Sequence, residues 1–404
     1  MADKLVPPPA QERINLAEML IGLCAGLALV LGAIYFALQI AGYPSGSRSL
    51  AGSRDFVSYW ATGRQLVLHG NPYDTNAIAA LEHREGLSSG AVLIMRNPPW
   101  ALPFAYPLGF LGLRLAALLW SVLLLACLLV SVRLVRQLYG DPPNRLHWLA
   151  LSFTPCLICI TMGQTSLFAL LGLVLFLRWH GARPFLAGAS LWLCALKPHL
   201  FLPFAAALVA WIIVSRAWKL LAGAAASLAL SSALASLLYP HAWLDYERLL
   251  RSPTVENDLI PCLACALRQW IAPHATWLQY LPAALCCMWA LVYYWRRRAA
   301  WDWRSDGGLL MLVSLAAAPY CWFYDQCLAI PALMDGAYAS RSRNVVAVLA
   351  LAIFALDIQI CIVHIVSPLY LWSAPAWLAW YILAQRFSQP RRCLTPAARE
   401  ELFT

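Results

Sequence analysis

The sequence predicts an all-α polytopic membrane protein. Of its 404 residues 62% are hydrophobic and only 12% are charged. Apolar runs of about 20 residues, the length that crosses a bilayer, recur along the whole chain. Soluble domains carry about 25% charged residues, so half that share cannot wet a water-facing surface. The charges that remain gather between the apolar runs. A net charge of +10 without a basic face interleaved with aromatics does not point to nucleic acid.

Twelve spans are expected, at 16–40, 112–135, 146–161, 163–179, 184–198, 199–215, 218–238, 277–295, 306–320, 324–339, 344–366 and 368–386. Several hold near 15 residues, short for a hydrocarbon core of about 30 Å. Ten or eleven complete spans with re-entrant or broken helices is therefore the other reading. The first run is longer than the apolar stretch of a signal peptide and no small-residue cleavage site follows, so it reads as a retained span. The whole chain, 1–404, reads as one membrane domain.

Orientation follows from the basic residues. Nineteen of the 29, among them Arg133, Arg136, Arg216, Lys219, Arg296, Arg297, Arg298 and Arg341, fall mostly in short connections on one side. The positive-inside rule makes that side cytoplasmic and puts both termini there. Two long segments, 41–110 and 240–275, then form extracytoplasmic loops rich in Trp, Tyr, Pro and charge. Long loops between spans are commonly functional. The bias of 26 Arg to 3 Lys among those residues hints at a GC-rich bacterial genome, and so at a bacterial cytoplasmic (inner) membrane.

Polar residues in these outer segments are the candidates for chemistry. Asp55 opens what reads as an amphipathic helix with Phe56, Tyr59, Trp60, Leu66 and Val67, lying along the outer interface. Its carboxylate is either an N-terminal cap or a general base. Asn97-Pro98-Pro99-Trp100 shapes a loop before the second span, because Pro cannot continue a helix. Lys197-Pro198-His199 interrupts an apolar stretch, where a lysine is costly and usually functional; the plainer reading is snorkelling to the interface. Gln164 either caps a helix or bonds a sugar. Asp325 either pairs with a cation or accepts from a ligand hydroxyl. Asp357 and His364 lie two turns apart in one apolar span. Cys156/Cys159 reads as helix packing, whereas Cys262/Cys265, in the second outer loop, also admits a local disulfide. No HExxH, P-loop, Rossmann glycine pattern or nucleophile elbow occurs.

Five segments in order, DFVSYWATGRQLVLHGNPYD (55–74), NPPWALPFAYPL (97–108), GQTSLFALL (163–171), LKPHLFLPF (196–204) and PYCWFYDQCLAIPAL (319–333), resemble glycosyltransferase family 87. The resemblance implies the helical bundle of the C-type glycosyltransferases, with 10–12 transmembrane helices and two long extracytoplasmic loops. It also implies transfer of a hexose, often mannose, from a polyprenyl-phosphate donor to an extracytoplasmic lipid or glycan acceptor. On that resemblance Asp55 takes the catalytic position as general base, and Lys197, His199 and Arg96 bind the donor phosphate. Tyr59, Gln164, Tyr324 and Asp325 then contact substrate. A phosphate leaves without protonation, so one carboxylate suffices; no adjacent acidic pair appears in the first loop, so no metal or other cofactor is called for. The segment at 319–325 departs from the family, whose members often begin it Ser-Pro and add a His.

Two other functions fit a polytopic chain. A secondary transporter or lipid flippase predicts charges at the midplane and pseudo-symmetric halves; here most charges sit at the outer interface, although Asp357 does not. A non-catalytic scaffold would keep the same hydropathy.

Overall fold

The computed structural model describes residues 16–40, 54–85, 92, 94–251, 260–363 and 365–388. Among the described residues the regular elements are helices, joined by short 3-10 turns. In chain order they are α1 (Leu16–Ile40), α2 (Arg54–Val67), α3 (Thr75–Arg84), α4 (Leu102–Ala105), α5 (Leu113–Leu138), α6 (His147–Leu151), α7 (Thr154–Met162), α8 (Ser166–Trp179) and α9 (Pro184–Cys194). There follow α10 (Leu202–Ser215), α11 (Trp218–Leu238), α12 (Ala242–Leu250), α13 (Leu263–Ile271), α14 (Trp277–Arg297), α15 (Asp306–Ala317), α16 (Ile330–Ala339), α17 (Arg343–Ile362) and α18 (Ser373–Arg386).

Hydrocarbon offers no partner for backbone N–H and C=O groups, so apolar runs of this kind close their hydrogen bonds within helices. Among the described residues, five segments are long and apolar enough to cross a membrane: Leu16–Ile34, Leu113–Leu138, Pro198–Ser215, Trp218–Leu238 and Arg343–Ile362. Several of the other expected runs are cut shorter for visible reasons, whereas that at 277–295 forms the 21-residue α14. The run at 146–161 breaks between α6 and α7 at Ser152-Phe153, where Pro155 opens the second piece. The run at 324–339 starts as a 3-10 turn, Phe323–Ala329, with Pro331 at the start of α16. At about 1.5 Å per residue, the 12 residues of α15 reach only about 18 Å.

The chain belongs to the class of multi-pass membrane proteins, and its helices pack largely on partners that are not adjacent in sequence. α9 lies between α8 and α11, α5 packs on α8, α10 on α14, and α15 on α18; α1 closes against the distant α17. Gly188 and Gly223 let α9 and α11 touch backbone to backbone. A Cβ at either would stand 1.9 Å from a carbonyl oxygen of the other helix, that of Leu220 or of Phe185. Small residues permit this approach where lipid supplies no hydrophobic drive between helices.

The first long loop is less of a loop than expected. Phe56, Tyr59 and Trp60 of α2 are buried rather than turned to lipid headgroups. Trp60 Nε1 donates to Leu111 O at 2.9 Å and Arg64 Nη1 to Gly109 O at 3.0 Å. The expected interfacial helix is thus an internal one. An aromatic face at helical spacing packs equally well against lipid or protein, and here Trp120, itself packed on Phe104, meets Phe56 and Tyr59.

Candidate active site

Asp55 lies half-buried in the first turn of α2, and Ser58 Oγ donates to its backbone oxygen at 2.7 Å. The partner that places its carboxylate comes from the end of α7. That helix stops at Gly163, in the left-handed region at φ +70°. A side chain here would be strained, and its Cβ would stand 2.5 Å from Cβ of Phe56. Only glycine lets the α7 terminus sit against α2. Trp120 Nε1 then donates to Gly163 O at 2.7 Å and holds the turn.

The next residue, Gln164, bridges two side chains of α2. Its Nε2 donates to Asp55 Oδ2 at 2.9 Å, and its Oε1 accepts from the Tyr59 hydroxyl at 3.1 Å. The orientation is self-consistent, because an ionised carboxylate only accepts. Burial, opposed by Lys197, pushes the Tyr59 phenol up to about 12, so it stays a neutral donor. Tyr59 stacks on Trp120 at 5.5 Å between centroids. Gln164 thus links Asp55 and Tyr59 in one hydrogen-bonded chain.

Lys197 sits in the break between α9 and the 3-10 turn Pro198–Phe201. A residue before proline is pushed out of helical backbone, and Lys197 has φ −136° and ψ 67°. The unpaired carbonyls at this helix end are met by the Asn-Pro-Pro-Trp segment: Asn97 Nδ2 donates to Leu196 O at 2.7 Å and Trp100 Nε1 to Ala195 O at 2.9 Å. That segment is more than a connector. It clamps the two residues preceding Lys197.

The lysine does not snorkel. Its side chain is buried, donating to Asp325 Oδ1 at 2.7 Å and to Ser166 Oγ at 3.0 Å, with Nζ 4.7 Å from the centre of the Tyr324 ring. Asp325 is buried too, and accepts from Ser166 Oγ at 2.5 Å and from the Trp322 backbone N–H at 2.9 Å. The aspartate thus took the cation-pairing alternative. Both the Asp55 and Asp325 charges act on Tyr324, so the two clusters lie within electrostatic reach of one ring.

His199 stacks on Tyr320 with ring centroids 3.7 Å apart, and its Nε2 is buried without a hydrogen-bond partner. Such an atom in a native interior calls for a ligand or a role. Arg96 is half-buried within electrostatic reach of Tyr320 and Tyr246, and Tyr246 donates to the Arg96 backbone oxygen at 3.3 Å. Burial lowers its guanidinium below the ordinary value, without discharging it.

Asp55, Tyr59, Gln164, Lys197, His199, Tyr324 and Asp325 therefore share one region, with Arg96 at its Tyr320 side. Asp357 is elsewhere, accepting from Thr154 Oγ1 at 2.7 Å, and His364 lies outside the described residues. Cys156 and Cys159 are buried free thiols in the core, as packing required. Ser166, Tyr320 and the clamping role of Asn97 and Trp100 escaped the sequence reading. Their nearness to Gln164, Lys197 and Pro319 in the resembling segments was the signal that could have found them. Among the described residues no three His, Cys, Asp or Glu side chains converge as metal ligands would.

No curated protein and no solved structure matches the chain. The family model described as glycosyltransferase family 87 matches residues 96–319, which include Arg96, Gln164, Lys197 and His199 and begin after Asp55. That match spans more than half of the 404 residues and ends just before Tyr320, Tyr324 and Asp325. The chain belongs to glycosyltransferase family 87.

Proposed function

We propose that this glycosyltransferase moves a hexose, with mannose the first sugar to test, from a polyprenyl-phosphate donor to a lipid or glycan acceptor, with inversion. The observation that carries this reading is the half-buried Asp55 carboxylate, fixed by Gln164 at 2.9 Å and within electrostatic reach of Tyr324, as Asp325 is. A carboxylate so placed can take the proton of an acceptor hydroxyl while that oxygen attacks the anomeric carbon. The bond from that carbon to the phosphate oxygen breaks, and polyprenyl phosphate leaves as an anion.

Stabilising that anion falls to the cations and N–H donors opposite. Two of the three Lys197 N–H groups are committed to Asp325 and Ser166, which fixes the ammonium rather than leaving it mobile. Its charge is largely balanced by Asp325, so Arg96 and the unpartnered Nε2 of His199 carry more of the phosphate binding than Lys197 alone. Donors set in place before the charge develops cost no reorganisation during reaction. The arginine distribution supports an active site on the extracytoplasmic face of a bacterial inner membrane, with both termini in the cytoplasm.

The test is sugar transfer by purified protein in lipid, with labelled polyprenyl-phosphate-mannose as donor and extracted envelope lipids as acceptor. Wild type is expected to transfer, and Asp55→Asn and Asp55→Ala to fold and bind donor without transfer. Undiminished transfer by both variants removes Asp55 as the base. Transport of labelled lipid across the bilayer without transfer would favour the transporter or flippase reading.

A further inference from the structure

The second loop holds a group of thiols that the transfer reaction does not use. Cys262 is the residue before α13, with the extended backbone of a helix start (φ −134°, ψ 154°), and Cys265 lies one turn on. Both are buried free thiols, and the two sulfurs touch each other through a hydrogen bond. They also converge on one carbonyl, Pro319 O, at 4.0 Å from Cys262 Sγ and 3.5 Å from Cys265 Sγ. The Cys262 sulfur accepts further hydrogen bonds from the backbone N–H groups of Ala264, Cys265 and Cys321. Two elements thus supply donors to one sulfur: the first turn of α13 and the Pro319–Cys321 segment.

This arrangement favours a thiolate at Cys262. The S–H of Cys265, then the surrounding backbone N–H groups, hold the Cys262 thiol below the ordinary cysteine value despite burial, while Cys265 is pushed up by the same contact. A Cys-x-x-Cys pair opening a helix is the microenvironment in which the first sulfur attacks and the second resolves.

We propose that Cys262 and Cys265 are the site of a reversible disulfide, formed by exchange with a disulfide-bearing oxidant in an oxidising compartment. The Cys262 thiolate attacks one sulfur of the oxidant, the oxidant's S–S bond breaks, and its other sulfur leaves as a thiolate. Cys265, losing its proton, attacks Cys262 Sγ and expels the second oxidant sulfur. Two electrons pass to the oxidant, which leaves as one thiolate and one thiol, the single proton coming from Cys265. The compartment follows from the outward placement of this loop, which is the orientation adopted above.

The disulfide has a consequence for the site. Oxidation removes the Cys265 S–H donor aimed at Pro319 O and the thiolate that receives the Cys321 N–H. Tyr320, between them, is the ring stacked on His199. The redox state of this pair is thereby tied to the His199 side of the pocket.

The experiment counts thiols in the full-length protein. Chain acid-quenched from cells is denatured and labelled with a maleimide-polyethylene glycol, before and after reduction; purified protein equilibrated with oxidised glutathione is treated alike. In both arms wild type is expected to label at two fewer of its 13 cysteines before reduction than after, and the Cys262→Ser, Cys265→Ser double variant to show no difference. Cys265→Ser alone should trap one glutathione on Cys262, and Cys262→Ser alone none. Full labelling of glutathione-treated wild type without reduction overturns the proposal, as does a difference that survives in the double variant. A pair that oxidises in glutathione but is reduced in cells overturns it through the orientation of the loop. None of these readouts depends on sugar transfer, so they stand apart from the test of Asp55.

Discussion

α15 has an aspartate ion pair near each of its ends, and the two are built differently. Past its C-terminus Asp325 meets Lys197, with side chains 1% and 9% exposed. In its first turn Asp306 meets Arg297 at 2.9 Å, and there the arginine is 48% exposed while the aspartate is 2% exposed. Asp306 is further held by the Tyr293 hydroxyl at 2.6 Å and the Asp302 backbone N–H at 3.0 Å. Arg297 keeps much of its hydration, so the pair costs little and contributes little, about 0–1 kcal/mol. Lys197 gives up nearly all of its water and must recover it from Asp325, Ser166 and the Tyr324 ring. Well-packed apolar residues could hold those helices together as firmly. Stability alone therefore does not account for the buried pair, whereas the proposed transfer gives its fixed charge a use.

The largest effect should come from Asp55, at the Lys197 end. Asp55→Asn keeps the shape and removes the base, and the initial rate of transfer should fall by about 10²–10⁴-fold with the thermal midpoint unchanged. A variant that loses folding along with activity would mean that the carboxylate holds α2 in place instead. Next comes Lys197→Met, which leaves Asp325 buried beside no cation and should cost about 3–5 kcal/mol, read as a lowered melting midpoint in detergent. Adding Asp325→Leu should recover most of that stability without recovering transfer. Were the double variant fully active, the contrast between the two ends of α15 would carry no functional meaning.

Gln164→Leu probes the support beneath the base. Losing the amide that orients Asp55 should cost about 1 kcal/mol, a several-fold drop in kcat with the KM for donor little changed. A raised KM alone would return Gln164 to a substrate-binding role. Smallest is Arg297→Met, which should move the melting midpoint by no more than about 1 kcal/mol allows and leave transfer as it was. A large loss of transfer there would erase the distinction between the ends.

Hydropathy alone placed the protein in a membrane, because a span must be apolar for some 20 residues whatever it packs against. The same property hid which helices are long enough to cross, since Pro155 and Pro331 cut apolar runs that read as continuous. Asp55, Lys197 and His199 were legible as candidates because a polar residue amid apolar ones needs a reason, and the family segments ordered them.

Which side chain each of them meets was settled in three dimensions. Lys197 and Asp325 are 128 residues apart, Asp55 and Gln164 are 109, and Asn97 reaches Leu196 across 99. A pattern of neighbours in sequence records whether a residue prefers water or lipid, but not which of several carboxylates a buried ammonium will find. The alternatives of snorkelling or pairing for Lys197, and of lipid or protein against the aromatics of α2, have the same periodicity. Tertiary packing chose between them, because only the folded bundle determines where water is excluded and which donors remain to replace it.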